Sequence, residues 1–164
     1  MFIFRVLDPI NLRVFFRVFT CFVNPLGFAF YLILPFAKKY IKVRTPIGHI
    51  KILMRNRQSA RTLYSIFIRE DYKTDNAKKN ILDLGSNIGI SALYFLSRNK
   101  KNQILCIEPD PNNAYYLQNN LDRFKDRSNI LYCAIGTEDA KYLEFNLSKD
   151  GKYSSFKKIG KKYD

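Results

Sequence analysis

Hydrophobic and polar residues follow three different patterns along this chain. An apolar run without a charged residue covers positions 18–36, and two short alternating runs lie within positions 41–57. From position 81 onward, strand-like and helix-like segments alternate. These patterns divide the chain into an apolar helical segment over 1–40, an α/β unit over 41–148 that begins with a β-hairpin, and a lysine-rich tail over 149–164.

The apolar run is long enough to cross a bilayer as a single helix. However, Asn24-Pro25, Gly27 and Pro35 would interrupt that helix. The first prediction is therefore a helix–break–helix hairpin lying in the membrane interface. Accessory helices packed on the protein are the second prediction, and a full span is the third. Lysines follow the run in place of a small-residue cleavage site, which is unlike a signal peptide.

The segment after the apolar run predicts a β-hairpin and then a helix. Two alternating runs, 41–44 and 49–54, flank a turn sequence, Thr45-Pro46-Ile47-Gly48. Alternation places one set of apolar side chains on a common face: Ile50, Ile52 and Met54. Ser59 is the expected N-cap of the next helix, which the apolar spacing extends to about Arg69.

Strands alternate with helices over positions 81–135. Apolar runs predict strands at 81–84, 104–107 and 130–135, separated by helices over 88–96 and 111–124. Asp110 and Pro111 occupy the cap and first-turn positions of the second helix, which these residues favour. This βαβαβ order predicts an α/β fold, with one half of a doubly wound, Rossmann-like parallel sheet. An extra strand is predicted at 141–147.

The net charge of +14 and the pI near 9.8 indicate an anionic partner. The basic residues are not interleaved with the aromatics and motifs of a nucleic-acid module, so no nucleic-acid partner is predicted. The basic cluster at 38–44 directly follows the apolar run, where attraction to anionic lipid is expected. A membrane surface is therefore the predicted partner of residues 1–40.

The three cysteines are Cys21, Cys106 and Cys133, at spacings that fit neither a disulfide framework nor a zinc site. Cys106 and Cys133 lie in apolar runs and are expected to be buried thiols. No metal site is predicted. Reduced thiols suit the cytoplasm, with or without attachment to its membrane.

The most informative stretch is Asp83-Leu84-Gly85-Ser86-Asn87-Ile88-Gly89, which leads from a strand into a helix. Its glycines permit unusual backbone conformations and the close approach of a ligand, and Asn87 tolerates left-handed geometry. A dinucleotide fingerprint would need a glycine at position 87. The carboxylate of Asp83 would also repel a pyrophosphate, whereas it suits a cationic ligand such as a sulfonium cofactor with an ammonium group.

Glu108 ends the second predicted strand. A carboxylate at this place can accept hydrogen bonds from both ribose hydroxyls of an adenosine. One strand–helix–strand unit separates Asp83 from Glu108, so the two acids are expected at the same edge of the sheet. Alone, Asp83 would be interpreted as a solvated acid and Glu108 as a local cap; together with the glycine loop they predict a cofactor site.

With these motifs the sequence resembles the FkbM family of S-adenosylmethionine-dependent methyltransferases. The resemblance is carried by ILDLGSNIGISALYFL at 81–96, IEPDPNNAYYLQNNL at 107–121 and CAIG at 133–136. Shorter similarities are RTPIG at 44–48 and REDY at 69–72, so about 44–148 is covered. The resemblance implies a class I methyltransferase fold, with S-adenosyl-L-methionine as the cofactor.

The resemblance also implies roles for individual residues. Glu108 would bind the ribose, Ala134 and Ile135 would lie near the adenine, and the methionine end would contact Gly85, Ser86, Asn87 and Gly89. The implied acceptor is an oxygen of a sugar, a glycan or another small metabolite. Neither the resemblance nor the residues indicate a general base, so no catalytic residue is predicted.

Members of this family continue into a fourth parallel strand with an acidic Asp-x-Glu-Gly-type motif, and no such motif follows Leu147. We therefore expect a truncated methyltransferase that holds the cofactor half of the domain, and its enzymatic activity stays open. The alternative is a catalytically inactive, membrane-associated remnant or binding module. In either case the strand at 81–84 has an unpaired edge, which predicts self-association.

Overall fold

The computed structural model describes residues 9–33, 40–136, 144–146 and 155–157. Its helices are α1 (Pro9–Cys21), α2 (Pro25–Ile33), α3 (Arg57–Leu63, continued by a π-helical segment Tyr64–Arg69), α4 (Ile90–Leu96) and α5 (Pro111–Leu121, continued by a 3₁₀ turn Asp122–Phe124). Its strands are β1 (Tyr40–Thr45), β2 (Gly48–Leu53), β3 (Asn80–Leu84), β4 (Gln103–Ile107), β5 (Ser128–Leu131), β6 (Glu144–Asn146) and β7 (Ser155–Lys157).

The central sheet is parallel, with the order β3-β4-β5. Helix α4 connects β3 to β4, and α5 connects β4 to β5, so consecutive strands are neighbours in the sheet. Helix α5 buries the predicted face, which consists of Ala114, Leu117, Leu121 and Phe124. The fold is therefore α/β and Rossmann-like, as the sequence predicts.

The N-terminal apolar run folds as two helices with a break between them. Asn24 caps the second helix, because its side-chain Oδ1 accepts a 2.7 Å hydrogen bond from the Gly27 amide at the start of α2. Phe22 bridges to Val43 of β1 in the antiparallel sense, and its ring stacks on Phe28 at 4.0 Å between centroids. The helices thus pack on the hairpin through buried aromatic side chains, and none in the described part of the chain is long and apolar enough to span a bilayer.

The predicted hairpin is confirmed. Strands β1 and β2 pair antiparallel from Tyr40↔Leu53 to Thr45↔Gly48, with Pro46 and Ile47 in the turn. The common face of Ile50, Ile52 and Met54 is buried. Asn120 of α5 holds the end of this hairpin, since its side chain exchanges hydrogen bonds with both the amide (2.6 Å) and the carbonyl (3.1 Å) of Leu53.

The predicted cap of the next helix is wrong. Helix α3 begins at Arg57, and Asn56 caps it by accepting a 3.0 Å hydrogen bond from the Ser59 amide. Ser59 instead lies buried in the first turn, where its hydroxyl also contacts Asn56 Oδ1. Asparagine and serine cap about equally well, so local preference alone does not distinguish these two candidates three residues apart. The helical conformation does extend to Arg69, through the π-helical segment.

The third strand is shorter and earlier than predicted. Strand β5 ends at Leu131, because its partner β4 ends at Ile107, the residue paired with Leu131. Cys133 lies beyond the last paired residue and is exposed, which corrects the expectation of a buried thiol, whereas Cys106 is buried. Strand β6 falls within the predicted extra strand and pairs with β7, while 141–143 and 147 lie outside the described residues.

The two faces of the parallel sheet have different environments. Ile104 and Cys106 are buried beneath α4 and α5 with Leu93 and Leu117. The opposite face exposes apolar side chains, among them Leu82, Leu84 and Leu131, which are 58%, 57% and 47% exposed. Within the described residues, β3 also has one unpaired edge.

Candidate functional site

The loop that follows β3 is held by its own backbone. The amides of Gly85 and Ser86 both donate to the carbonyl of Ile107 on β4, at 2.9 and 3.0 Å. The Gly89 amide donates to the carbonyl of Ser86 at 2.8 Å, which closes the turn into α4. The loop therefore lies over the carboxyl end of β4, at the edge of the sheet where ligands bind in open α/β folds.

Left-handed backbone geometry occurs at three positions of this loop. Gly85, Asn87 and Gly89 have φ values of 76°, 52° and 85°. A Cβ at Gly89 would lie 2.7 Å from Leu117 Cδ1, whereas one at Gly85 would meet nothing within 4 Å. Gly89 thus permits close packing of α4 on α5, while Gly85 leaves open space above the loop. Helix α4 begins at Ile90, two residues later than predicted, because Gly89 is its N-cap.

Asp83 points from β3 to the start of α4. Its Oδ2 accepts a 2.7 Å hydrogen bond from the Ser91 hydroxyl, and its backbone carbonyl accepts from the Ser86 hydroxyl at 2.9 Å. Burial raises the pKa of Asp83, and hydrogen bonds from Ser91 and Ser86 only partly oppose that effect. No salt bridge among the described residues includes Asp83, so its charge is not neutralised by a side chain of that part of the chain.

Cys106 is paired with Asp83 across the strands. Burial and, to a smaller extent, the negative charge of Asp83 raise the pKa of its thiol to about 11, against the opposing effect of a hydrogen bond with Ser86. The thiol is therefore neutral at physiological pH.

Glu108 lies under the loop and is 5% exposed. Its Oε2 accepts a 2.7 Å hydrogen bond from the Asn87 amide, and its Oε1 accepts from the Asp110 amide (2.9 Å) and Asn113 Nδ2 (3.2 Å). This one side chain therefore joins the glycine loop to the N-terminus of α5. A carboxylate has about four acceptor directions, so one direction stays open for a further donor.

Asp110 is the confirmed cap of α5, because its Oδ1 accepts a 2.8 Å hydrogen bond from the Asn112 amide. Its other oxygen lies 3.5 Å from Arg55 Nη1, just after the hairpin. Arg55 also donates to the side-chain oxygen of Asn113. The guanidinium of Arg55 thus balances the acids on which α5 begins, and it ties the hairpin to that helix.

A cavity of about 210 Å³ lies between the loop and α3. Its wall on the sheet side runs from Asp83 to Ile88 and takes in Gly85, Ser86 and Asn87. Glu108, Gly89, Ala134 and Ile135 are not among its lining residues. Ordinary ligand pockets measure roughly 300–1,000 Å³, so this cavity has room for only part of a cofactor-sized molecule.

Sequence reasoning missed the opposite wall of this cavity. It is formed by residues that precede β3: Asn56, Gln58, Ser59, Thr62, Ile66 and Tyr72. Gln58 and Thr62 are four apart on α3, which places both on one side of the helix. Their pattern resembles that of any polar helix face, so no signal in the sequence assigned them to the loop.

Ala134 and Ile135 follow the end of β5. Ile135 is 55% exposed, and Ala134 is partly exposed. The Glu108 amide donates to the carbonyl of Leu131 at 3.1 Å, so the chain leaves β5 beside Glu108. The two residues lie at the same edge of the sheet as the loop but outside the cavity.

Fold and loop together define a Rossmann-like α/β unit with a glycine-rich loop at the carboxyl ends of its strands. No family model matches the chain. The AMB antimetabolite synthetase AmbE of Pseudomonas aeruginosa (strain PAO1) is 28% identical over 131 residues, which are 77% of this chain and 6% of that protein. The chain thus spans a small part of this curated relative.

Two solved structures are similar to the chain over part of its length. One is the PH0793 protein of Pyrococcus horikoshii, which carries a provisional transferase name, with 16% identity and a TM-score of 0.40 over 60% of this chain and 37% of that one. The other is methyltransferase FkbM from Methylobacillus flagellatus KT, with 19% identity and a TM-score of 0.33 over 54% and 30%.

Proposed function

We propose that the chain binds S-adenosyl-L-methionine at the loop 85–89 and forms the cofactor side of an FkbM-type methyltransferase. The observation that carries this proposal is Asp83, a largely buried carboxylate that lines a cavity and lacks a cationic partner among the described side chains. Burying a carboxylate without a counter-charge is unfavourable. A ligand with an ammonium and a sulfonium group would supply positive charge at this place.

The hydrogen bonds of the loop favour a cation over an anion. Each amide from position 85 to 89 donates inside the protein: two to Ile107, one to Glu108, one to the Asn87 side chain and one to Ser86. Phosphate-binding loops instead direct their amides at the ligand. The same loop would therefore hold a pyrophosphate poorly, which argues against a dinucleotide cofactor.

Glu108 is the proposed ribose acceptor, through the acceptor direction that its three hydrogen bonds leave open. Ala134 and Ile135, at the same edge of the sheet, are proposed to lie near the adenine. The proposed acceptor of the methyl group is an oxygen of a sugar, a glycan or another small metabolite, on the basis of the family resemblance alone. Methyl transfer is a direct displacement, so alignment of acceptor and methyl group would supply most of the catalysis.

A non-catalytic binding module is the second candidate function. The described residues line a small cavity beside the loop, and they leave the β3 edge of the sheet and one of its faces uncovered. Such a unit could hold the cofactor without placing an acceptor. Assay of methyl transfer from labelled cofactor, with and without the acceptor half of a full-length relative, separates the two candidates.

Calorimetric titration tests the proposed ligand. We expect S-adenosylmethionine and its demethylated product to bind the loop site, and the sulfonium form to bind more tightly because it carries the additional positive charge near Asp83. NADH is the matched control, since it also presents an adenosine but carries a pyrophosphate. Tighter binding of NADH than of S-adenosylmethionine would overturn the assignment of the site.

A further inference from the structure

We propose that α1, the start of α2 and the outer face of the hairpin form a docking surface for an anionic lipid bilayer. This aromatic–basic surface consists of Phe15, Phe16, Phe19, Leu26, Tyr40, Lys42 and Lys51. It lies apart from the loop 85–89, and it does not depend on the proposed cofactor.

Helix α1 is apolar on two opposite sides. Val14 and Val18 pack against the core. Phe15, Phe16 and Phe19 face outward and are 57%, 59% and 49% exposed, and Leu26 at the start of α2 is 78% exposed. The outward aromatic face is therefore not explained by packing within the described residues.

The aromatic rings form one cluster. The Phe15 ring lies 5.9 Å from that of Phe16 and 5.0 Å from that of Phe19, in edge and tilted arrangements. Rings that contact each other in this way make a continuous apolar patch. A single-stranded nucleic acid would instead need separate ring faces on which its bases stack. The aliphatic Leu26 also suits acyl chains better than bases.

The basic residues are joined to this patch through the backbone. The Val23 amide donates to the carbonyl of Lys42 at 3.1 Å, directly after α1. Arg44 of β1 donates to the carbonyls of Phe19 and Thr20 at 3.2 and 3.3 Å. The end of helix α1 is thus held against β1, the strand that carries Lys42.

The outer face of the hairpin carries a pair of like charges. Lys42 and Lys51 are direct partners in the antiparallel register, and like charges at such positions repel each other. The Lys51 ammonium lies 4.1 Å from the ring centroid of Tyr40, which keeps it on this face. No aspartate or glutamate occurs between Pro9 and Arg69 to neutralise these lysines locally.

An anionic bilayer matches both features at once. Aromatic side chains of an interfacial helix enter the boundary between headgroups and acyl chains, and adjacent lysines contact the phosphates. Neither feature alone would select a bilayer. The proposal of a bilayer rests on the attachment of the aromatic helix to the basic hairpin at the end of α1.

Fluorescence provides a direct test, because the chain contains no tryptophan. Phe16→Trp places a single probe in the aromatic cluster, and Tyr115→Trp places one on an exposed position of α5. With vesicles of phosphatidylcholine and phosphatidylglycerol, we expect a blue shift and quenching by brominated acyl chains for the first variant only. Equal responses of the two variants, or no response of Phe16→Trp, would overturn the proposal.

Co-sedimentation with the same vesicles tests both components of the surface in the full chain. We expect the triple change Phe15→Ser, Phe16→Ser, Phe19→Ser to weaken vesicle binding roughly 100-fold. Lys42→Gln with Lys51→Gln should weaken it roughly tenfold, and 1 M salt should remove that difference because the Debye length falls to about 3 Å. Equal binding to pure phosphatidylcholine would contradict the role of charge. Binding to single-stranded RNA without binding to vesicles would overturn the proposal and identify a nucleic acid as the partner of this surface.

Discussion

At the scale of a single residue, Asp83 is an ionisable carboxylate in a largely buried position. Its carboxylate is largely buried, and its hydrogen bonds within the described residues come from hydroxyl groups. Burial raises its pKa, so the ionised form costs folding free energy. Residues of this kind are expected at functional sites, where ligand binding recovers the free energy lost in folding.

Asp83→Asn is expected to separate stability from ligand binding. Because the pKa of Asp83 is raised in the folded state, the stabilising effect of this group is complete below its unfolded pKa and is lost as pH rises through the folded pKa. At neutral pH the amide should therefore raise the melting temperature while it weakens S-adenosylmethionine binding by about 1.5–3 kcal/mol. Thermal melting and calorimetry measure the two effects.

Asp75→Asn is the matched control for this prediction. Asp75 is exposed, is paired with Lys79 and is not one of the residues that line the cavity. Its change should leave ligand binding unaltered and leave the melting temperature nearly unchanged, as is usual for exposed surface positions. Equal effects of the two substitutions on ligand affinity would refute the role of Asp83.

Glu108 is a second residue whose substitution separates two roles. Glu108→Ala leaves the partly buried amide of Asn87 and the buried amide of Asp110 without their acceptor, which should lower the free energy of unfolding by about 3 kcal/mol. Glu108→Gln retains one carboxamide oxygen and should cost about half as much. If Glu108 also holds the ribose, Glu108→Gln should weaken cofactor binding by more than the accompanying loss of folding stability would account for. Urea unfolding and calorimetry on the same variants provide the comparison.

At the scale of elements, the loop 85–89 joins β3, β4 and both helices of the α/β unit. It binds the end of β4 through Ile107 and the start of α5 through Glu108. Asn120 of α5 adds a third connection, because its side-chain Nδ2 donates to the Ile88 carbonyl at 2.7 Å. The position of the loop is thus determined by contacts distant in sequence.

Gly89→Ala and Gly85→Ala form a matched pair for this loop. Both positions have positive φ, which should cost about 1–2 kcal/mol for alanine. Only at position 89 does the added Cβ meet another side chain, Leu117 Cδ1 at 2.7 Å. We expect Gly89→Ala to be destabilised by about 1–3 kcal/mol more than Gly85→Ala in urea unfolding. Equal costs would show that α4 and α5 adjust freely.

Asn120→Ala is expected to loosen the hairpin from helix α5 and the loop 85–89. It removes hydrogen bonds to Leu53 and Ile88 and leaves buried backbone groups unsatisfied, at a cost of about 3 kcal/mol. Hydrogen exchange of the Leu53 amide should accelerate more than exchange within β4. Asn119→Ala is the control, since Asn119 donates to the Tyr115 carbonyl of its own helix at an exposed position. Similar exchange in both variants would contradict this role.

At the scale of the whole molecule, the sheet has an exposed apolar face and, among the described strands, an unpaired β3 edge. Strands with free edges pair with other chains. We expect concentration-dependent self-association in sedimentation velocity, and Leu84→Lys should abolish it because a charge at this edge cannot be buried. Leu26→Lys, at an equally apolar exposed position, should leave self-association unchanged. A monomer at all concentrations would refute the prediction.

The sequence alone determined those parts of the protein that depend on neighbouring residues. The hairpin follows from alternation around Pro46, the start of α5 from the Asp110 cap, and the loop from glycines that permit positive φ. The strand that contains residues 104 and 106 follows from a run of apolar residues. Backbone sterics and local hydrogen bonds act within a few residues, so their signals remain visible in the sequence.

Only the tertiary structure decided features that depend on distant contacts. Nothing local selects Asn56 over Ser59 as the cap, ends β5 at Leu131, or brings α3 to the cavity beside Asp83. The burial of Asp83 and the attachment of α1 to the hairpin likewise come from packing between segments far apart in the chain. Burial, desolvation and sheet pairing are set by which elements meet, and that is a property of the folded molecule.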